Sequence, residues 1–423
     1  MSRRTVHCVL ALLALVVVWA FDRHFRFFDM AIYQGAVRWW ADGGDLYAYQ
    51  APVRGALGFT YPPFAALLLM PAGLVPLNVA GWLNVLLSLP SLAAALAVVT
   101  SRAAGPGRPL QGGWALTAGR GFPAGRALLA GRALPVALVL VLALATEPVR
   151  QTLGLGQVNL VLFALVVLDL GVLGRAGSRW AGVGVGIATA VKLTPGLFIV
   201  YLLVTRRWRA AAVAGGTAAV LTAAAAVVAP RETMQYFGDL LWRTERVGAA
   251  DAVANQSLAG LLARLSDSPA APRYWWLALC SVAVVAGLRR AARAHAYGHE
   301  MTGLTLAGLT ANLVTPVAWT HHLTFLPVAL ILLGRSGRRR DGVAVGVCYV
   351  LCVLSPVWWV ADGPGGLLPF LAANTFVLMI IFLVWRLPVA GDAARRPEES
   401  GRRDGVSSVL TRGSGPTRSG RSC

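Results

Sequence analysis

The chain has 423 residues, 57% of them hydrophobic and only 13% charged, whereas soluble domains carry about 25% charged residues. That balance excludes an ordinary soluble domain. The formal net charge of +20 would suit a nucleic-acid partner, but the basic residues sit in short clusters between apolar runs and no patch interleaves them with aromatics, so nucleic acid is excluded as well.

Apolar runs of about 18–20 residues read as membrane helices. The expectation is an all-α polytopic membrane protein. One folding unit, 1–387, holds about 10–13 membrane helices, some of them short re-entrant or hairpin segments, and a basic, disordered cytoplasmic tail follows at 388–423. The start, MSRRTVHCVLALLALVVVWAF, has the basic head and apolar core of a signal peptide. It lacks a small-x-small cleavage site, so 6–21 is read as an uncleaved first helix.

With a cytoplasmic N-terminus, 22–63 forms an outer loop and 64–77, interrupted by prolines, is re-entrant or interfacial. Residues 80–100 return inward to the Gly/Arg-rich loop 101–132. Residues 133–146 go out and 157–174 come back. The next apolar stretch, 181–204, has arginines at both ends, Arg175 and Arg179 before it and RRWR at 206–209 after it. Both ends belong on the cytoplasmic side. The stretch is therefore two short helices, 181–191 and 196–204, turning at KLTP, where Pro195 disfavours helix at Thr194. Residues 210–229 go out, 230–271 form a second outer loop, and 272–288 return. A pair at 301–317 and 323–334 turns at AWTHH, and 341–360 and 366–386 complete the bundle. In this topology FFDMAIYQG, GGDLY, TYPP, GQVN, KLTP, NQS and THH all fall on the outer side, and that convergence implies a site there.

Each candidate has a plain structural alternative. Asp29 opens an amphipathic helix, as its N-cap or as a general base fixed near the membrane surface. Asp45, in ADGGDLY, suits a turn or a ligand contact. Tyr61 belongs either to a rigid turn or to the site. Gln157 and Asn159 cap a helix or bind a ligand, and Asn255 and Gln256 lie in NQS. His321 and His322 are the only adjacent histidines and point to binding, without a third metal ligand at recognisable spacing. The five cysteines suggest neither a disulfide framework nor a metal site. Lys192 is the only lysine in a chain with 38 Lys+Arg. A cation at membrane depth marks function or a specific partner, and lysine offers a compact charge where arginine offers a planar fork.

Taken in order from residue 28 to 330, FDMAIYQGAVRWWADGGDLYAY, FTYPPFAALLLMPAGLVP, LGQVNLVLFAL, AVKLTPGLFIVYLLVTRRWR, NQSLAGLL and TPVAWTHHLTFLPVAL resemble the polyprenyl-phosphate-mannose-dependent mannosyltransferases of actinobacteria, glycosyltransferase family 87 of the GT-C superfamily. The resemblance implies a GT-C fold in the plasma membrane with its active site facing the periplasm or exterior. It implies a polyprenyl-phosphate sugar donor, a glycolipid or lipoglycan acceptor, surrounding membrane lipids and no cofactor or metal. Asp29 would be the catalytic base of an inverting transfer, and Lys192, His321 and His322 would face the donor phosphate. Two other readings remain open: an arabinofuranosyltransferase of the same mechanism, and a secondary transporter or flippase for an anionic lipid-linked substrate.

Overall fold

The computed structural model describes residues 26–52, 57–101, 133–360 and 366–389. The expected first helix 6–21, the basic loop 102–132 and the tail beyond Val389 lie outside the described residues.

The first described helix, α1 (Phe28–Ala41), follows two residues in left-handed conformation, Arg26 and Phe27. Its inner stripe, Met30, Tyr33, Gln34 and Val37, recurs at helical spacing and is buried. Pro62 and Pro63 start α2 (Pro63–Gly73), as proline suits a first helical turn. At 11 residues, α2 is too short to cross a bilayer. Its last carbonyls, which lack intrahelical partners, accept from α1: Gln34 donates to Ala72 and Val75, and Arg38 to Gly73 and Val75.

A full span, α3 (Leu77–Thr100), comes next. The segment expected to leave the membrane at 133–146 is longer and broken. The pair α4 (Ala133–Leu144) and α5 (Glu147–Leu155) bends by 73°, with Thr146 extended and Pro148 in the first turn of α5. Helix α6 (Asn159–Leu168) widens into a π turn at Asp169–Leu173. The acid inside this span is structural. Asp169 accepts from the Gly182 and Val185 amides at 2.8 and 2.9 Å, so it satisfies the free donors at the start of α7 (Val183–Val191).

The Lys-Leu-Thr-Pro turn is present. Lys192 is extended, a 3-10 turn covers Thr194–Gly196, and α8 (Leu197–Val204) follows. The two ends of this hairpin meet: Arg209, in the first turn of α9 (Trp208–Val228), donates to the Gly177 and Ser178 carbonyls just before α7. Here the charge pattern and the packing agree.

The segment 230–271, expected as a second outer loop, contains α10 (Pro230–Gly238), 3-10 turns at Leu240–Trp242 and Thr244–Val247, and α11 (Leu258–Leu265). Then α12 (Arg273–Ala296) runs antiparallel to α13 (Glu300–Val314). Buried Glu300 accepts from Arg207 at 2.8 Å and pairs with His295 at 2.5 Å, tying the segment after α8 to this pair. The last helices are α14 (Leu326–Gly334), α15 (Arg339–Leu354), α16 (Leu367–Ala373) and α17 (Thr375–Arg386). The run expected at 341–360 stops at Leu354, because Ser355 takes a left-handed conformation and Pro356 follows.

Among the described residues there is no strand, and the protein is an all-α polytopic membrane protein. Among the described residues three helices are long and apolar enough to span alone, five if each bent pair counts as one span. The expected 10–13 membrane helices included short re-entrant and hairpin segments. The structure breaks several of them at proline, serine or polar residues into short helices that end inside the fold.

Candidate active site

A cavity of about 660 Å³ opens among the ends of these broken helices, within the roughly 300–1,000 Å³ of small-molecule sites. Its polar wall includes Asp29 and Tyr33 on α1, Tyr61 before α2, Gln157 between α5 and α6, Lys192 at the hairpin turn, and the His321–His322 turn.

Gln157 is placed by the glycine before it. Gly156 closes α5 with φ +75°, and a Cβ there would lie 2.7 Å from Met30 Cβ. Only glycine combines that conformation with so close an approach to α1. The approach lets Gln157 Nε2 donate to Asp29 Oδ2 at 2.5 Å and to the Tyr33 hydroxyl at 2.7 Å. Tyr61 donates to Gln157 Oε1 at 2.7 Å and lies 2.9 Å from the Tyr33 hydroxyl. The ring closes in one direction, from Gln157 amide to Tyr33 to Tyr61 to Gln157 carbonyl. The remaining amide hydrogen is thereby directed at the carboxylate. Asp29 is not the N-cap of α1; that position is Phe27, and Asp29 sits in the first turn facing the cavity. Burial pushes its carboxyl up to about 6, against the Gln157 hydrogen bond and the Lys192 charge, which both pull it down.

Lys192 Nζ is 3.0 Å from Asn159 Oδ1, 2.9 Å from His322 Nε2 and 3.5 Å from the Tyr61 hydroxyl. It also stands 5.0 Å from the centroid of the Tyr61 ring. Asn159 does not line the large cavity. It braces the lysine and donates to the His321 carbonyl at 3.0 Å. His322 is held from the other side by the Trp319 amide, 3.2 Å from Nδ1. His321 lines the cavity, and its Nε2 is buried without a hydrogen-bond partner. No carboxylate forms an ion pair with Lys192 among the described residues, so its charge faces the cavity.

Three of the residues singled out from sequence lie elsewhere. Asp45 Oδ1 accepts from the Tyr47 and Ala48 amides, an Asx turn, and the residue is outside the cavity wall. Asn255 and Gln256 are fully buried, and their amides are consumed by backbone. Asn255 donates to Ala250 and Pro316 and accepts from Ala318. Gln256 donates to Val253 and Ala373 and accepts from Phe376 and Val377, the first turn of α17. They clip the segment before α11 to Pro316, Ala318 and the start of α17.

The wall also holds residues that the motifs did not single out: Tyr33, Gln151, Arg246, Trp319 and Trp358. Tyr33 had a signal, since it lies one helical turn after Asp29 on the same face. Trp358 had none. It reaches the site because its indole donates to buried Glu147 at 2.6 Å, which Arg150 and Ser355 also contact.

The family model of glycosyltransferase family 87 matches residues 59–316. The chain is 34% identical over 86% of its length, and 84% of the relative's, to a polyprenol-phosphate-mannose-dependent alpha-(1-2)-phosphatidylinositol mannoside mannosyltransferase of Mycobacterium tuberculosis. It is 32% identical to a protein of the same description in Mycolicibacterium smegmatis, over 74% of this chain and 71% of that one. It is 29% identical to the corresponding phosphatidylinositol pentamannoside mannosyltransferase of Mycobacterium tuberculosis, over 80% and 76% of the two chains. No solved structure matches it.

Proposed function

For a chain that belongs to glycosyltransferase family 87, and is therefore a glycosyltransferase, we propose mannosyl transfer from a polyprenyl-phosphate donor to a phosphatidylinositol mannoside, with inversion, on the outer face of the plasma membrane. The observation that carries this reading is the joining of a carboxylate to a lysine in one cavity. Asp29 reaches Lys192 through Gln157 and Tyr61.

In the proposed reaction the acceptor hydroxyl gives its proton to Asp29 as its oxygen bonds to the anomeric carbon of the mannose. The bond from that carbon to the phosphate oxygen breaks on the opposite face, and the electron pair leaves with the phosphate. Lys192, held between Asn159 and His322, takes up the growing negative charge, and His321 lines the same wall. A carboxyl at about 6 is mostly ionised at neutral pH and basic enough to assist the transfer. The chemistry rests on these side chains alone, without cofactor or metal. The arginine-rich ends of the α7–α8 hairpin support an outward-facing site, since such clusters stay cytoplasmic and the cavity lies at the other end of the hairpin.

The test is transfer by purified protein in nanodiscs, from radiolabelled polyprenyl-phosphate mannose to phosphatidylinositol mannoside, with the linkage and anomeric configuration of the product read by NMR. A new α-mannosyl linkage is expected. Donor consumption that requires polyprenyl-phosphate arabinose instead would move the reading to an arabinofuranosyltransferase.

A further inference from the structure

The cavity contains a second cationic group that the proposed transfer does not use. Arg246, in the Thr244–Val247 turn of the second outer loop, lines the same wall. Its guanidinium lies over the Tyr47 ring, 5.8 Å from the centroid, and Nη2 donates to the Tyr47 carbonyl at 3.2 Å. Tyr47 in turn stacks on Tyr236 at 5.8 Å. A guanidinium anchored in this way is fixed in orientation. Its other N–H groups find no acceptor among the described residues, and no carboxylate pairs with it. Neighbouring Arg243 also lines the cavity but is bound to Asp239 at 2.7 Å, so Arg246 is the uncompensated charge.

This charge is separate from the one on Lys192. Two tyrosines connect them: Tyr47 donates to the Tyr61 carbonyl at 2.9 Å, and the Tyr61 hydroxyl is 3.5 Å from Lys192 Nζ. One site therefore has two cation positions, a compact ammonium at the hairpin turn and a planar fork at the outer-loop wall. Asp29 sits beside the first.

We propose that Arg246 binds the phosphodiester of an anionic glycolipid acceptor and so selects acceptors that carry a phosphate over neutral mannosides. The proposal rests on the reading of the site as a mannosyltransferase centre and names the residue that recognises its acceptor. A planar fork suits the paired oxygens of a phosphodiester. The position fits, because Arg246 and Asp29 line one cavity. The sugar hydroxyl can then reach Asp29 while the phosphate stays at the loop.

The experiment compares wild type with Arg246→Gln in nanodiscs. Three affinities are measured: for short-chain phosphatidylinositol mannoside, for octyl α-mannoside as the neutral acceptor, and for polyprenyl phosphate. Turnover from polyprenyl-phosphate mannose is read alongside. The expected result is a loss of affinity for the anionic acceptor of about tenfold or more, with octyl mannoside and polyprenyl phosphate bound as in wild type. Retained polyprenyl-phosphate affinity also shows that the variant is folded. Equal weakening toward both acceptors would make Arg246 a loop brace, and loss of polyprenyl-phosphate affinity would assign it to the donor; either outcome overturns the proposal. If wild type prefers the anionic acceptor through Arg246 yet transfers no mannose, the subsite stands and the mannosyltransferase reading fails.

Discussion

Gln157 and Asp29, far apart in sequence, meet at 2.5 Å, and the glutamine has no freedom in how it presents its amide. Its carbonyl is taken by Tyr61 and one amide hydrogen by Tyr33, so the second hydrogen must go to the carboxylate. A group held this way accepts a substrate proton without first reorienting, which is the preorganisation that acid–base catalysis needs.

If Asp29 is the base, Asp29→Asn keeps the hydrogen-bonding shape and removes the proton acceptor. Turnover is expected to fall by about 10²–10⁴, with expression and polyprenyl-phosphate affinity close to wild type. Near-normal turnover would reduce Asp29 to a structural partner of Gln157.

The same carboxyl sets the pH dependence. Its position at about 6 means that turnover rises with pH as the group ionises and levels off above that value. The Gln157 hydrogen bond favours the charged form. Gln157→Leu therefore raises the carboxyl further and moves the acid limb of kcat/KM to higher pH. An acid limb unmoved in that variant would separate the titration from Asp29.

Lys192 is tested through the donor. Lys192→Ala should lose both polyprenyl-phosphate affinity and turnover, since a charge-assisted contact in a partly dry site is worth more than a surface pair. Lys192→Arg should recover only part, because the larger fork aims its donors elsewhere. Equal affinity in all three proteins, measured by titration in nanodiscs, would remove the phosphate role.

Gln256 is predicted to act on stability and not on chemistry. Its carbonyl takes the Phe376 and Val377 amides, and Gln256→Leu leaves both buried donors unpaired. The cost is about 1–3 kcal/mol, visible as a lower Tm in detergent, with unchanged donor affinity below the transition. Unchanged Tm with weakened donor binding would return Gln256 to the site.

Orientation is tested by labelling cysteines introduced at two exposed positions, Asp45 and Arg209. A membrane-impermeant maleimide added to intact cells should modify Asp45→Cys and leave Arg209→Cys untouched until the membrane is opened. The reverse pattern would place the site on the cytoplasmic side.

The sequence by itself determined the membrane class, the turn at Lys192 and several of the polar stretches that meet at the cavity. These are local or additive properties: apolar run length, arginine placement, and a proline that stops a helix. The hairpin was legible because two basic ends cannot lie on opposite faces of one short span. The tertiary structure decided which of those polar residues face the cavity. Asp29 and Asp45 look alike in sequence, yet one is aimed at Gln157 by the close approach of Gly156 to Met30, and the other spends its carboxylate on its own turn. Asn255 and Gln256 look like ligands until their backbone partners on other helices are known. Trp358 and Arg246 carried no signal, because what brings them to the cavity is a contact with residues far away in the chain, Glu147 in one case and Tyr47 in the other. Hydrogen-bond valence is exhausted pairwise and at long range, so only the folded chain shows which polar groups are left over to meet a substrate.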